Sequence, residues 1–331
     1  MKDGAQPLET RIADEAQRLG FAAVGFAKAG PANSMEIFET WLAGGFAAGM
    51  AFLHRNKELR SNPQALAPGA RSIVVAAARY PVNPEPGSGF AMHARGSDYH
   101  TLLREKLEQL AAFINAEKPL SVARIGVDSA PILDREWAIA AGLGWRGRQG
   151  QIVNAELGCC LLLGELLVDL DLEPTPPVPN QCGDCRLCVE ACPTGALSGD
   201  GLVDARKCIS YLTIEHKGDI PAELQPKLGG ALFGCDLCTA VCPWNRFGND
   251  EVMPELQPRP MPSGEACLEM MAVEFKHRFK DTVVHRAGLA RLQRNAAIAV
   301  ANDGKTSDRV DTPRLEGPGF GVQVSGNTIN S

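Results

Sequence analysis

Eight of the 11 cysteines in this chain fall between Cys182 and Cys242, and their spacing restricts the fold more than any other feature. The run Cys182-x2-Cys185-x2-Cys188-x3-Cys192-Pro193 has the intervals with which thiolates hold cubane iron–sulfur clusters. Cys208 follows, and then Cys235-x2-Cys238-x3-Cys242-Pro243. Two four-iron clusters need eight thiolates, and this region supplies eight. In two-cluster folds the last cysteine of each run crosses to the other cluster. That rule groups Cys182, Cys185, Cys188 and Cys242 on one cluster, and Cys192, Cys208, Cys235 and Cys238 on the other.

Zinc is the plainer alternative, since C-x2-C pairs also clamp that ion. Four zinc ligands usually come as two separated pairs. They give no reason for a third cysteine at x2, a fourth at x3 and a proline directly after. A disulfide framework fits worse, because the chain is long and its N-terminus has no export signal. Leu8, Ile12, Ala16 and Leu19 instead have amphipathic helical spacing, with Glu9, Arg11, Asp14 and Glu15 between them. No apolar run reaches membrane-spanning length, and the expected location is the cytoplasm.

Apolar content of 45% and charge of 22% describe a globular protein with a sizeable core. The net charge of −6 excludes a generic nucleic-acid binder. It leaves room for a local basic face: residues 274–295 carry six Lys/Arg against two acids, which charge alone reads as a solvated helix surface.

Residues 1–170 read as mixed α/β. The pattern predicts helices at Leu8–Leu19 and Asp98–Glu117, the latter with a stripe at Leu103, Leu107, Leu110 and Ile114. Strands are predicted at Phe21–Phe26, Ser72–Ala77, Val122–Val127 and Cys160–Leu170, with a helix after Pro131. Glu173–Asn180 holds four prolines in eight residues and reads as a stiff extended linker into the cysteine-rich module. Beyond it, Leu268–Phe279 and Ala287–Ala301 have helical character, and the tail from Asp303 is polar and without periodicity. Two clusters alone make a small electron carrier, so the residues in front of them must hold a redox partner or the chemistry itself. Neither G-x-G-x-x-G after a strand nor G-x-x-x-x-G-K-[ST] is present.

Several stretches carry a resemblance. They are Val127-Asp128-Ser129-Ala130-Pro131-Ile132-Leu133, Ala141-Gly142-Leu143-Gly144-Trp145, Leu163-Gly164-Glu165-Leu166-Leu167-Val168-Asp169, Arg206 to Glu215, and Cys242-Pro243-Trp244-Asn245-Arg246. Together, with every cluster cysteine in register from about residue 5 to residue 300, they resemble epoxyqueuosine reductase. The resemblance implies an oxidoreductase that reduces the epoxide on the modified wobble base of tRNA, the last step of queuosine synthesis. It implies cobalamin in the N-terminal domain, fed by two [4Fe–4S] clusters that an unidentified donor reduces. Asp128 corresponds to the family's proton-donating aspartate, and Arg55, Ser210 and Asp236 fall near positions that line its cobalamin pocket.

The reaction takes two electrons and two protons and expels the epoxide oxygen as water. The departing oxygen needs an acid, and burial against a corrin would raise a carboxyl's pKa. Local sequence reads Asp128-Ser129 before Pro131 equally well as a helix cap. The resemblance makes Asp128 the acid and leaves Ser129 free to cap. His100, in Asp98-Tyr99-His100, lacks the downstream glycine of the Asp-x-His-x-x-Gly cobalt-ligating motif and is not expected to bind cobalt. Trp137, Trp145, Cys159, Cys160 and Cys267 read as packing residues, and His54 as a surface residue.

The resulting expectation is an α+β chain. It has a cobalamin-binding α/β domain (1–172), a ferredoxin-like two-cluster module (173–250), a short helical segment standing for truncated repeats (251–302) and a disordered tail (303–331). Two departures from the family stand out. Arg146-Gly147-Arg148-Gln149-Gly150 follows Trp145 where the family reads Gly-Lys, so Arg148 keeps the cation but not its shape. The resemblance also stops after Arg294–Val300, where family members continue into helical repeats that grip tRNA, so weaker tRNA binding is expected. The competing readings are a cobalamin-dependent reductive dehalogenase and a ferredoxin-like carrier without catalysis.

Overall fold

The computed structural model describes residues 6–86, 88–247 and 252–303. Its strands are β1 (Ala23–Lys28), β2 (Ser72–Arg79), β3 (Ser88–Phe90), β4 (Ala123–Gly126), β5 (Trp145–Arg146), β6 (Ile152–Val153), β7 (Leu161–Val168) and β8 (Gly230–Phe233). β1, β2, β7 and β4 form one sheet in that order, antiparallel throughout. The four strands expected from hydrophobic runs are these four.

β2 is buried at every position because both faces of the sheet are covered. Val74, Ala76 and Ala78 face one way, into a core shared with the Leu8–Arg18 and Tyr99–Glu117 helices. Ile73, Val75 and Ala77 face the other way, against Trp137, Ala138 and Ala141 of the segment after Pro131. This is the period-two pleat of a strand with two apolar faces. The predicted stripe of Leu103, Leu107, Leu110 and Ile114 is fully buried, and each such side chain contributes roughly 1.5–3 kcal/mol. That helix starts where it does because Asp98 caps it, its Oδ1 accepting from the His100 backbone N–H at 2.9 Å.

The proline-rich segment lies against the edge of β1. Thr175 N–H donates to the Phe26 carbonyl at 2.9 Å, and Phe26 N–H donates to Thr175 Oγ1 at 3.1 Å. β3 and β8 pair in parallel and tie the segment after β2 to the cysteine-rich region. Phe90, Ala94, Leu232 and Phe233 share a core with Phe275, Phe279, Leu292 and Ala296 of the C-terminal helices.

The single helix expected over Leu268–Phe279 is two, Gly264–Glu269 and Ala272–Phe279. Met270 is extended at the break and buried, while Met271 stays exposed. Gln293 Nε2 donates to the Leu268 and Met270 carbonyls, taking up acceptors that the break releases. The last helix runs Leu289–Asp303, starting after Gly288 at φ +82°. The rest of the tail expected to be disordered lies outside the described residues. No helix among the described residues is long and apolar enough to cross a membrane.

Candidate functional site

Cys182, Cys185, Cys188 and Cys242 line one open cavity with about 300 Å³ of empty space, bordered by Arg148 and Trp244. Cys192, Cys208, Cys235 and Cys238 lie within electrostatic range of one another, with Cys188 also close to Cys238. The two sets drawn from spacing are therefore two neighbouring groups in space. Among the described residues, no three His, Cys, Asp or Glu side chains converge on a point that could hold a single metal ion. The two groups match in number and spacing the thiolates that hold two four-iron clusters. Burial pushes the Cys235 thiol up to about 12 and the Cys188 thiol to about 11, so a cationic group there is what makes thiolates favourable.

The sulfurs have partners that the sequence did not disclose. Trp145, expected only to pack, donates its indole Nε1–H to Cys182 Sγ at 3.3 Å and meets Trp244 edge-on at 5.0 Å. Cys159 is buried; its thiol holds Cys242 below the usual thiol range, and its Sγ lies 3.6 Å from the Thr239 carbonyl. Arg148 Nη1 and Nη2 donate to the Gly199 and Gly183 carbonyls at 2.8 and 2.6 Å, bracing the loop after Cys182. Trp137, Cys160 and Cys267 pack as expected, and His54 is exposed.

Asp128 follows the end of β4 in a left-handed backbone conformation, φ +44°. A non-glycine residue held there carries strain on the order of 1–3 kcal/mol, which surrounding contacts must maintain. Those contacts converge on Oδ2: Tyr99 O–H donates at 2.9 Å and His100 Nε2 lies at 2.8 Å. His100 Nδ1 in turn meets Asp98 Oδ1 at 2.7 Å, so the residue that caps the helix also aims the imidazole. Arg286 Nη1 reaches the same Nε2 at 2.7 Å from the basic segment near the C-terminus.

The hydrogen-bond partners of Asp128 set its charge. Desolvation by the surrounding walls raises the Asp128 pKa, but the bonds from His100 and Tyr99, with the charges of His100 and Arg135, outweigh it and bring it to about 2. The side chain is 56% exposed, and with these partners its carboxyl is ionised. For His100, desolvation works downward, and the two carboxylates outweigh it to raise the pKa. One expectation fails here. Ser129 caps nothing, because the helix after Pro131 begins only at Asp134, and Ser129 Oγ donates to the Val127 carbonyl at 3.3 Å.

Behind this loop lies a pair that sequence reasoning passed over. Glu165 in β7 is fully buried, and neither of its oxygens receives a hydrogen bond from a donor group. It is within hydrogen-bonding reach of the Asp134 carboxyl. Two acids buried side by side without a donor favour the protonated form. Burial, then the charge of Asp128, pushes Asp134 up to about 7, and burial with Asp134 beside it raises Glu165 well above the carboxylate range.

The remaining expected residues lie on segments that share a core, Ala48 and Met50 packing with Ile209, Tyr211, Cys235 and Leu237. Arg55 is exposed in the turn between Ala51–Leu53 and Lys57–Ser61. Ser210 is half-buried in the first turn of the Ile209–Ile214 helix. Asp236 is buried, and its Oδ2 accepts from Asn83 Nδ2 at 2.8 Å and Met92 N–H at 2.7 Å. A shallow hollow beside it is lined by Gly89, Ala91, Ala231, Gly234 and Cys235. His93 connects the hollow to the acid: a Cβ on Gly234 would meet its ring at 3.2 Å, and the ring stands 6.4 Å from that of Tyr99.

Comparison with known proteins agrees with this arrangement. A family described as "Epoxyqueuosine reductase QueG, DUF1730" matches residues 60–129, and a "4Fe-4S double cluster binding domain" matches residues 181–245. Epoxyqueuosine reductase of Escherichia coli is 38% identical over 307 residues, covering 89% of this chain and 81% of that protein. The crystal structure of an epoxyqueuosine reductase with an epoxyqueuosine-modified tRNA-Tyr stem loop superposes with a TM-score of 0.84 at 32% identity, covering 91% of this chain and 82% of its own. An epoxyqueuosine reductase from Bacillus subtilis, with its aspartate-bearing catalytic loop swung out of the active site, superposes at 0.82 and 32% identity over 91% and 82% of the two chains. By sequence, by cluster domain and by fold, the chain belongs to the epoxyqueuosine reductase family.

Proposed function

We propose that this protein reduces the epoxide of epoxyqueuosine at the wobble position of tRNA to the alkene of queuosine, in the cytoplasm, with Asp128 passing a proton to the departing oxygen. The observation that carries this reading is the open Asp128 carboxylate, bonded to Tyr99 and His100 and set in a chain of this family. The eight cysteines, in the two groups described, are the ligands of two [4Fe–4S] clusters. Cys182, Cys185, Cys188 and Cys242, which line one cavity together, are the four-thiolate donor set such a group takes. The division of labour follows the sequence: residues 1–172 hold the chemistry, 173–250 relay electrons, and 251–302 brace both.

Cobalamin, when bound, supplies the electron density that opens the epoxide. The residues present are compatible with it. The hollow beside Cys235 is walled by small residues, and a Cβ added at Gly89 would meet nothing within 4 Å. Arg55 and Ser210 would contact the cofactor, whereas Asp236 acts by fixing the segment around Asn83 and Met92. For the protons, His100 stores one next to Asp128 Oδ2, Asp98 holds the imidazole in place, and Tyr99 fixes the carboxylate by its O–H. Exposed Lys276, Arg278 and Lys280 lie where a phosphate backbone could be drawn in.

The test combines cobalt and iron quantification of anaerobically purified protein with a queuosine assay on tRNA from cells lacking this step. Asp128→Asn is expected to keep both metals and lose product formation by at least a hundredfold. Normal turnover in that variant removes Asp128 from the role, and iron without cobalt reduces the protein to an electron carrier.

A further inference from the structure

Two groups of cysteines that look alike in sequence are treated differently by the fold. Around Cys192 the polar neighbours of the sulfur come from its own run: Ala196 N–H at 3.4 Å and Thr194 Oγ1 at 3.4 Å. Cys182 instead receives an indole N–H from outside the cysteine-rich region, Trp145 at 3.3 Å. We propose that Trp145 is a redox-tuning residue, whose N–H raises the reduction potential of the cluster held by Cys182, Cys185, Cys188 and Cys242. The inference rests on reading those four cysteines as ligands.

Trp145 is set by the fold and not by the cysteine loop. It stands in β5, paired with Val153 of β6, and is 2% exposed. Gly144 precedes it at φ +148°, where a Cβ would meet the Val153 carbonyl at 2.1 Å, so the hairpin needs glycine to bring the ring in. The loop bearing the sulfur is then fastened to the same hairpin. Asn180 Nδ2 donates to the Arg146 carbonyl at 3.1 Å, and Asn180 Oδ1 accepts from Cys182 N–H at 2.8 Å. Arg148 adds its bond to the Gly183 carbonyl at 2.6 Å. Donor and sulfur are therefore locked from two sides, and the ring has Trp244 against it at 5.0 Å.

The direction of the effect follows from charge. Taking up one electron converts a [4Fe–4S]2+ core to [4Fe–4S]+ and puts more negative charge on the cysteine sulfurs. An N–H dipole aimed at one of those sulfurs stabilises the reduced state more than the oxidised one. The cluster with Trp145 is thus the easier of the two to reduce by this contribution.

The experiment is an EPR-monitored redox titration of the anaerobic, cluster-replete full chain. Trp145→Phe keeps the buried ring and removes the donor. One of the two midpoints should fall, with the reduction equilibrium about tenfold less favourable (~59 mV for one electron), and the other should stay. Trp137→Phe, whose indole nitrogen has no hydrogen-bond partner, should move neither. Two unmoved midpoints in a folded, iron-replete Trp145→Phe protein would overturn the proposal. If that variant does not assemble its clusters, the wild-type protein labelled with 15N-indole tryptophan decides the matter. Pulsed EPR of the reduced cluster then shows a 15N coupling if the bond exists, and none if the proposal is wrong. A wild-type protein showing fewer than two clusters would instead refute the assignment of the cysteines as ligands.

Discussion

Asp128 is ionised by its neighbours, which decides where a transferable proton waits. With its carboxyl down to about 2 and His100 raised, the line Asp98–His100–Asp128 carries its proton on the imidazole. A raised histidine keeps its proton above the ordinary value near 6.5 and loses it as pH rises through the folded value. Single-turnover rates should therefore fall on the alkaline side, and His100→Gln should remove that limb while cofactor content is kept. A His100→Gln profile superposable on wild type would place the proton elsewhere. The Arg286 charge works against the imidazolium from 2.7 Å. Arg286→Gln should move the limb to higher pH, as a pH series of single turnovers would show.

At the scale of elements, the loop bearing Asp128 is positioned by how tightly β1 meets the Asp134–Ala140 helix. Gly25 faces the end of that helix so closely that a Cβ would sit 1.9 Å from the Ala141 carbonyl. Gly25→Ala must push the helix off the sheet, and about 3 kcal/mol of stability should be lost in denaturant titration. The four strands and the long capped helix were legible in the sequence because their apolar periods are unbroken. The cysteine groups were legible because spacing alone carries them. The acid's surroundings were not, since residues 98–100 and 128 meet only through the β4–β7–β2 order, and Arg286 arrives from the far end of the chain. Trp145 looked like core for a similar reason: burial and a hydrogen bond to sulfur give the same apolar sequence context. The break at Met270 was hidden because its compensating partner, Gln293, lies on another helix.

For the whole molecule, the Asp134–Glu165 pair gives stability a slope with pH. An Asp raised to about 7 binds a proton in the folded state that the unfolded chain has already released above about 4. Its contribution is thus complete at low pH and is lost as pH rises through about 7. Asp134→Asn should flatten the fall in thermal midpoint between about pH 5.5 and 7.5, compared with wild type in the same buffers. Substrate affinity belongs to this scale as well. Replacing Lys276, Arg278 and Lys280 with Ser should reduce the slope of log affinity against log salt by roughly 2, if each meets one phosphate of the RNA. An unchanged slope would return the basic segment to a solvated surface.

The sheet also dictates an order of birth. β7 is its last strand in the chain but sits between β2 and β4, so a nascent polypeptide cannot close the sheet before Val168 has left the ribosome. The clasp of β3 to β8 waits longer, until Phe233 emerges. Because chains tend to fold from the N-terminus as they are made, iron would be delivered to a molecule whose acid-bearing half has already set. The last knot, between β3 and β8, would then be tied around freshly inserted metal.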